Sequence, residues 1–139
     1  MSTHGTTVEW KRGDQPFVDK RYSRAHIWTF DGGAVVPASS APESVPVPMS
    51  DASAVDPEEA MIASLSSCHM LWFLAFAANA RLTLDSYRDE ASGELDKDDA
   101  GKRYLARVTL RPVTTFTGRQ PDQAELNALH HQAHEQIAD

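Results

Sequence analysis

The stretch VDPEEAMIASLSSCHMLWFLAF, from Val55 to Phe76, constrains this chain more than any other. Asp56 is a good helix N-cap, and Pro57 suits the first helical position, where an amide would have no partner anyway. Glu58 and Glu59 fall in the first turn, where the helix dipole favours negative charge. From Leu71 to Ala78 the run is apolar nearly all round. Such a helix belongs at the centre of a fold or at a subunit interface. The pattern predicts one long helix from about Asp56 to Ala80. Ser64, Ser66, Ser67 and His69 interrupt it, so it reads as too short and too polar to span a bilayer.

This helix carries Cys68, the only cysteine in 139 residues. One thiol excludes an internal disulfide framework and a multi-cysteine zinc site. Periodicity alone favours inert packing, because free cysteine commonly behaves as a small buried hydrophobe. Three features favour chemistry instead. Small polar neighbours, with Ser64 one turn away on the same face, leave room for a ligand. A reactive sulfur is a thiolate and needs nearby positive charge. Cys68 lies about three turns into the helix, beyond the reach of the dipole, so that charge must come from an arginine elsewhere. Arg24 is the candidate, with Glu58 to orient it through a bidentate pair. Glu58 and Cys68 are ten residues apart, roughly 15 Å of rise on one straight helix. A site using both needs either a break in the helix or a partner chain, and a two-fold dimer of paired helices supplies the second.

The rest of the chain reads as α+β with antiparallel pairing. YSRAHIWTFDGGAVV predicts a hairpin, with Tyr22, Arg24, His26, Trp28 and Phe30 on one face and a glycine turn. Residues 37–54, rich in proline and serine, predict an irregular loop placed to cover a site. LTLDSYRDEASGEL and YLARVTLRPVTTF read as one strand each. In the second, Tyr104, Ala106, Val108 and Leu110 should share a face, with an edge or bulge at Pro112. A second helix should close the chain, with Leu126, Leu129, Ala133 and Ile137 as its apolar stripe.

The net charge of −7 and the lack of a basic cluster make nucleic acid or an anionic membrane an unsuitable partner. The N-terminus has no signal-peptide pattern, so a cytoplasmic protein is expected, where thiols stay reduced. His130 and His134 share a helix face, but no third ligand is fixed, and partly exposed helix histidines are the preferred reading. His69 and Cys68 diverge around the helix, so they are not a nucleophile pair. Asp96, Asp98 and Asp99 read as a turn, not a calcium loop. No metal or cofactor is expected.

Residues 21–33, 56–78, 107–116 and 129–136 resemble, in order, the OsmC/Ohr family of thiol-dependent organic hydroperoxide reductases, with DPEEA…SLSSCHMLWFL the most specific stretch. The resemblance implies a single domain over residues 1–139, short of the family's C-terminal stretch. It implies an intertwined α+β homodimer, with antiparallel sheets wrapped around long central helices and sites at the interface. Cys68 matches the peroxidatic cysteine and Glu58 the glutamate that holds the active-site arginine. Arg24 matches that arginine, with Arg21 as the fallback. Trp28, Met61, Leu65 and Trp72 would line a pocket for an organic hydroperoxide. The sequence departs from the family in having Ile137 where a resolving cysteine is expected, so either the chain stops before that cysteine or the resolving step is lost. An external thiol or dithiol would then have to complete turnover, and a ligand-binding or peroxide-sensing module without sustained turnover is the rival expectation.

Overall fold

The computed structural model describes residues 1–137. Its elements are β1 (Thr6–Glu9), β2 (His26–Phe30), β3 (Val35–Ala38), α1 (Pro57–Asn79), β4 (Thr83–Asp89), β5 (Ser92–Lys97), β6 (Arg103–Thr109), β7 (Pro112–Thr117) and α2 (Gln123–Ile137). All strand pairs between these elements are antiparallel. The expected α+β class is therefore observed. The chain divides into two compact units, Met1–Ala60 and Met61 onward.

In the first unit β1, β2 and β3 form one sheet in that order. The expected hairpin joins β2 to β3, and its turn closes with the Phe30 amide donating to the Ala34 carbonyl. Gly33 takes φ 97° there, a conformation that glycine adopts without steric cost. The long segment after β3 is less irregular than its composition suggests. Ser39 is fully buried, and its hydroxyl accepts from the Asp51 amide at 2.9 Å. A parallel bridge between Ala38 and Val55 then ties the segment's two ends together.

Helix α1 begins as the sequence predicts. The Glu59 amide donates to the Asp56 carboxylate at 2.8 Å, and the Asp56 amide donates to the Glu59 carboxylate at 3.2 Å. This reciprocal capping box satisfies two otherwise orphaned amides. Burial of Asp56 opposes its ionisation, but hydrogen bonds from Glu59 and Glu58 outweigh this and lower its pKa. At the other end the Leu82 amide donates to the Ala77 carbonyl and the Arg81 amide to the Ala78 carbonyl. With Arg81 at φ 61°, this is a Schellman cap built on a non-glycine residue.

In the second unit the two strands expected from sequence are four. Strand β4 pairs with β7 and β5 with β6, so one long hairpin is interrupted at the same level in both of its arms. The break is held by Arg111. Its amide donates to the Asp89 carboxylate at 2.6 Å, and its guanidinium reaches the Glu90 carbonyl and the Ser92 hydroxyl. Pro112, which has no amide to offer a ladder, opens β7. The expected common face of Tyr104, Ala106 and Val108 is not observed. Glu94 pairs with Arg107 and Leu95 with Leu105, so Ala106 is bulged and the alternation changes phase. Leu105 is half-buried, while Tyr104 and Ala106 are exposed.

Phe73, Ala77, Leu82, Leu129 and Ala133 form the core of this unit, flanked by Phe76, Leu84, Tyr87, Phe116 and Leu126. A Cβ on Gly93 would stand 2.6 Å from Ile62 Cδ1, so β5 lies close against α1. The helix buries only His69, Phe73 and Ala77. The expectation that it is too short and too polar for a membrane does not hold. At 23 residues it is long and apolar enough by length and composition to cross one. The serines are small and uncharged, and the flanking run is rich enough in large apolar side chains to offset them.

Arg81→Gly relieves a side chain held in the left-handed region. It is expected to raise stability by about 0.5–1 kcal/mol in urea denaturation, even though glycine loses more entropy on folding.

Candidate functional site

At 3.6 residues per turn, Met61, Leu65, Leu71 and Trp72 lie within about 60° of Cys68 around α1. The buried Phe73 and Ala77 lie on the far side. Three of these neighbours are open, with Met61 55%, Leu71 58% and Trp72 40% exposed. Cys68 itself is partly buried and free. The sulfur thus sits midway along an uncovered apolar stripe, with Ser64 beside it. Three of the four residues expected to line a pocket, Met61, Leu65 and Trp72, share this stripe.

The opposite side of the same turns is fixed by polar contacts. The Ser66 hydroxyl donates to the Asp89 carboxylate at 2.5 Å. His69 is 5% exposed, and its Nε2 meets His130 Nδ1 at 3.0 Å. The two rings are nearly parallel, and the His130 ring also stacks on Phe73 with centroids 4.3 Å apart. Burial lowers the pKa of both histidines, and each is lowered further by a neighbouring histidine. Burial beside the Asp89 charge pushes the Tyr87 hydroxyl up to about 12. Among the described residues no cluster of three His, Cys, Asp or Glu side chains could hold a metal ion.

Arg24 and Glu58 lie in the first unit. The Arg24 guanidinium donates to the Lys20 and Tyr22 carbonyls and rests 3.7 Å above the Tyr22 ring centroid. Among the described residues it makes no ion pair with Glu58. Glu58 has a buried carboxylate oxygen with no hydrogen-bond partner among the described residues, an arrangement that calls for a donor. Arg24 also lines an open cleft of about 480 Å³ with Val8, Trp10, Phe17, Tyr22 and His26. Trp28 is half-buried on β2 and does not line this cleft. Arg21 is exposed, and it too lies outside the lining.

Of the aromatic wall of the cleft, Tyr22 is expected from sequence, on the alternating face it shares with Arg24 and His26, which also line the cleft. Phe17 and Tyr22 stack with centroids 4.6 Å apart, and Trp10 meets Tyr22 edge-on at 5.5 Å. The intervening loop is held by the Trp10 indole donating to the Ser23 carbonyl and by the Ser23 amide donating to Gln15. Trp10 and Phe17 lie outside that alternation and in no regular strand or helix, so periodicity carries no trace of them.

The candidate functional groups are therefore a thiol on an apolar helix stripe, a cation on an aromatic cleft and a half-buried carboxylate with one oxygen that has no partner among the described residues. Residues 50–136 match the model of the OsmC-like protein family. The chain belongs to the OsmC-like family. It is 50% identical to an OsmC-like protein of unknown function from Vibrio cholerae. That match covers 98% of this chain and 90% of the other, with a TM-score of 0.94. Two more distant structures share the fold. One is an organic hydroperoxide resistance protein from Elizabethkingia anophelis, at 14% identity and TM-score 0.66, covering 97% of this chain and 83% of that one. The other is the organic hydroperoxide resistance protein OhrB of Bacillus subtilis, at 18% identity and TM-score 0.61, covering 96% and 84%. No curated protein matches the chain.

Asp89 serves two donors, the Ser66 hydroxyl and the Arg111 amide. Asp89→Ala is expected to destabilise the protein by about 1–3 kcal/mol, and Ser66→Ala by about 1 kcal/mol, in urea denaturation.

Proposed function

We propose that the protein is a homodimeric, thiol-dependent peroxidase of the cytoplasm that reduces organic hydroperoxides to alcohols and so protects against oxidative or osmotic stress. The observation that carries this reading is the position of Cys68, midway along an apolar stripe of α1 that this chain leaves uncovered. Membership of a family whose fold is shared by organic hydroperoxide resistance proteins supports it.

The unbroken helix bears on assembly. With α1 continuous from Pro57 to Asn79, Glu58 and Cys68 are separated by roughly 15 Å of rise. Cys68 of one chain is therefore assigned to a site with Arg24 and Glu58 of a second copy, whose apolar stripe and cleft would cover the exposed Met61, Leu71 and Trp72. The Cys68 thiolate attacks the distal peroxide oxygen and the O–O bond breaks. The departing alkoxide takes a proton to give the alcohol, and the sulfur becomes a sulfenic acid. Arg24, freed from its carbonyl partners and oriented by Glu58, would stabilise the thiolate and the developing negative charge. The apolar walls would accept the organic substituent in preference to the water shell of hydrogen peroxide. With one cysteine in the sequence, two equivalents of an external thiol, or one dithiol, return the sulfenic acid to thiol with release of water and a disulfide. The same dependence on an outside reductant supports a second reading, a peroxide sensor oxidised once and not recycled.

Cys68→Ser and Arg24→Ala should each abolish most peroxide consumption. Refolding the two inactive variants together should restore roughly a quarter of the wild-type sites, because half of the dimers would be mixed and each would carry one intact pair. No recovery from soluble mixed dimers would contradict the shared site.

A further inference from the structure

We propose that His69 and His130 form a pH-sensitive latch that fastens the Cys68-bearing turns of α1 to α2 when both rings are neutral and lets go when both are protonated. The latch stands independently of the peroxidase reading.

The geometry is specific. Each neutral imidazole offers one N–H donor and one acceptor, so the 3.0 Å contact between Nε2 of His69 and Nδ1 of His130 holds one proton between two nitrogens. A single imidazolium could still donate across that contact. Two could not, because both facing nitrogens would carry a hydrogen and the rings, with centroids 5.3 Å apart, would carry like charges. His69 has no easy route to a charged state. It is 5% exposed, and its Nδ1 is buried without a partner among the described residues. His130 meets His69 at its ring edge and lies with one face against Phe73.

The surrounding charges are few. From α2, His134 acts against protonation of His69. From β4, Asp89 favours protonation of both rings but weighs less than burial. Asp89 is already occupied by the Ser66 hydroxyl and the Arg111 amide. Tyr87, also on β4, stays neutral. The balance leaves both histidines harder to protonate in the folded protein than in the unfolded chain. The stabilisation is then fully present above the unfolded value of 6.5 and is lost as pH falls through the depressed folded values. Release would loosen α1 where Ser66, Cys68 and His69 are close neighbours along the helix.

The test compares the wild type with the His69→Gln/His130→Asn double variant, whose amides can keep an N–H···O bond at the same place without titrating. Between about pH 7.5 and pH 5 the wild-type Tm should fall by about 3–6 °C more than that of the double variant. Imidazole NMR of the wild type should show two rings that take up protons at lower pH than a free histidine. Parallel loss of Tm in the two proteins, or two rings that titrate like free histidine, would overturn the latch. If the double variant does not fold, the NMR titration of the wild type decides alone.

Discussion

The second unit depends on the packing of Phe73. Its ring is fully buried, stacks on His130 of α2 and meets Tyr87 of β4 at 5.6 Å. Three elements distant in sequence therefore meet at one side chain. Ser66 and His69, two turns and one turn before it, extend the contact with hydrogen bonds to Asp89 and His130. Together they fix which way α1 is turned about its own axis. Apolar burial alone would leave that choice weakly determined, because the helix is apolar on nearly every side. A hydroxyl and an imidazole that must find partners remove the ambiguity.

Once that rotation is set, Cys68 has to point the other way. The same turns that present Ser66, Phe73 and Ala77 inward present Met61, Cys68, Leu71 and Trp72 outward. A large exposed apolar stripe is costly in water and marks a surface meant to be covered. The thiol lies within it, and on the proposed reading the cover and the active site are one structure. The first unit carries the complementary chemistry, a guanidinium on an aromatic cleft and a buried carboxylate oxygen without a donor among the described residues.

What could be read from sequence tracks the range of the forces involved. The start of α1 was legible because Asp56, Pro57 and Glu59 act within a single turn. The β2–β3 hairpin was legible because its alternation and glycine turn are local. The ten-residue spacing of Glu58 and Cys68 left a helix break or a partner chain as the ways to one shared site, and α1 runs unbroken between them. The splitting of the later strands was not legible. It depends on bulges at Ala106 and between Leu84 and Ser86, which exist only in a paired register, and on Arg111 reaching across to Asp89. The His69–His130 bond joins residues 61 positions apart. Sequence spacing directed attention to His130 and His134 on one helix instead. Trp10 and Phe17 join Tyr22 through a loop whose hydrogen bonds leave no periodic pattern.

The central claim is that the sulfur on the open stripe is a nucleophile. It is tested most directly by stopped-flow mixing of the reduced protein with an organic hydroperoxide, with intact mass spectrometry of the product. Rapid loss of about one equivalent of peroxide, with one oxygen added at Cys68, is the predicted result. A rate no greater than that of a free thiol, with the mass unchanged, would mean that Cys68 only fills space on α1.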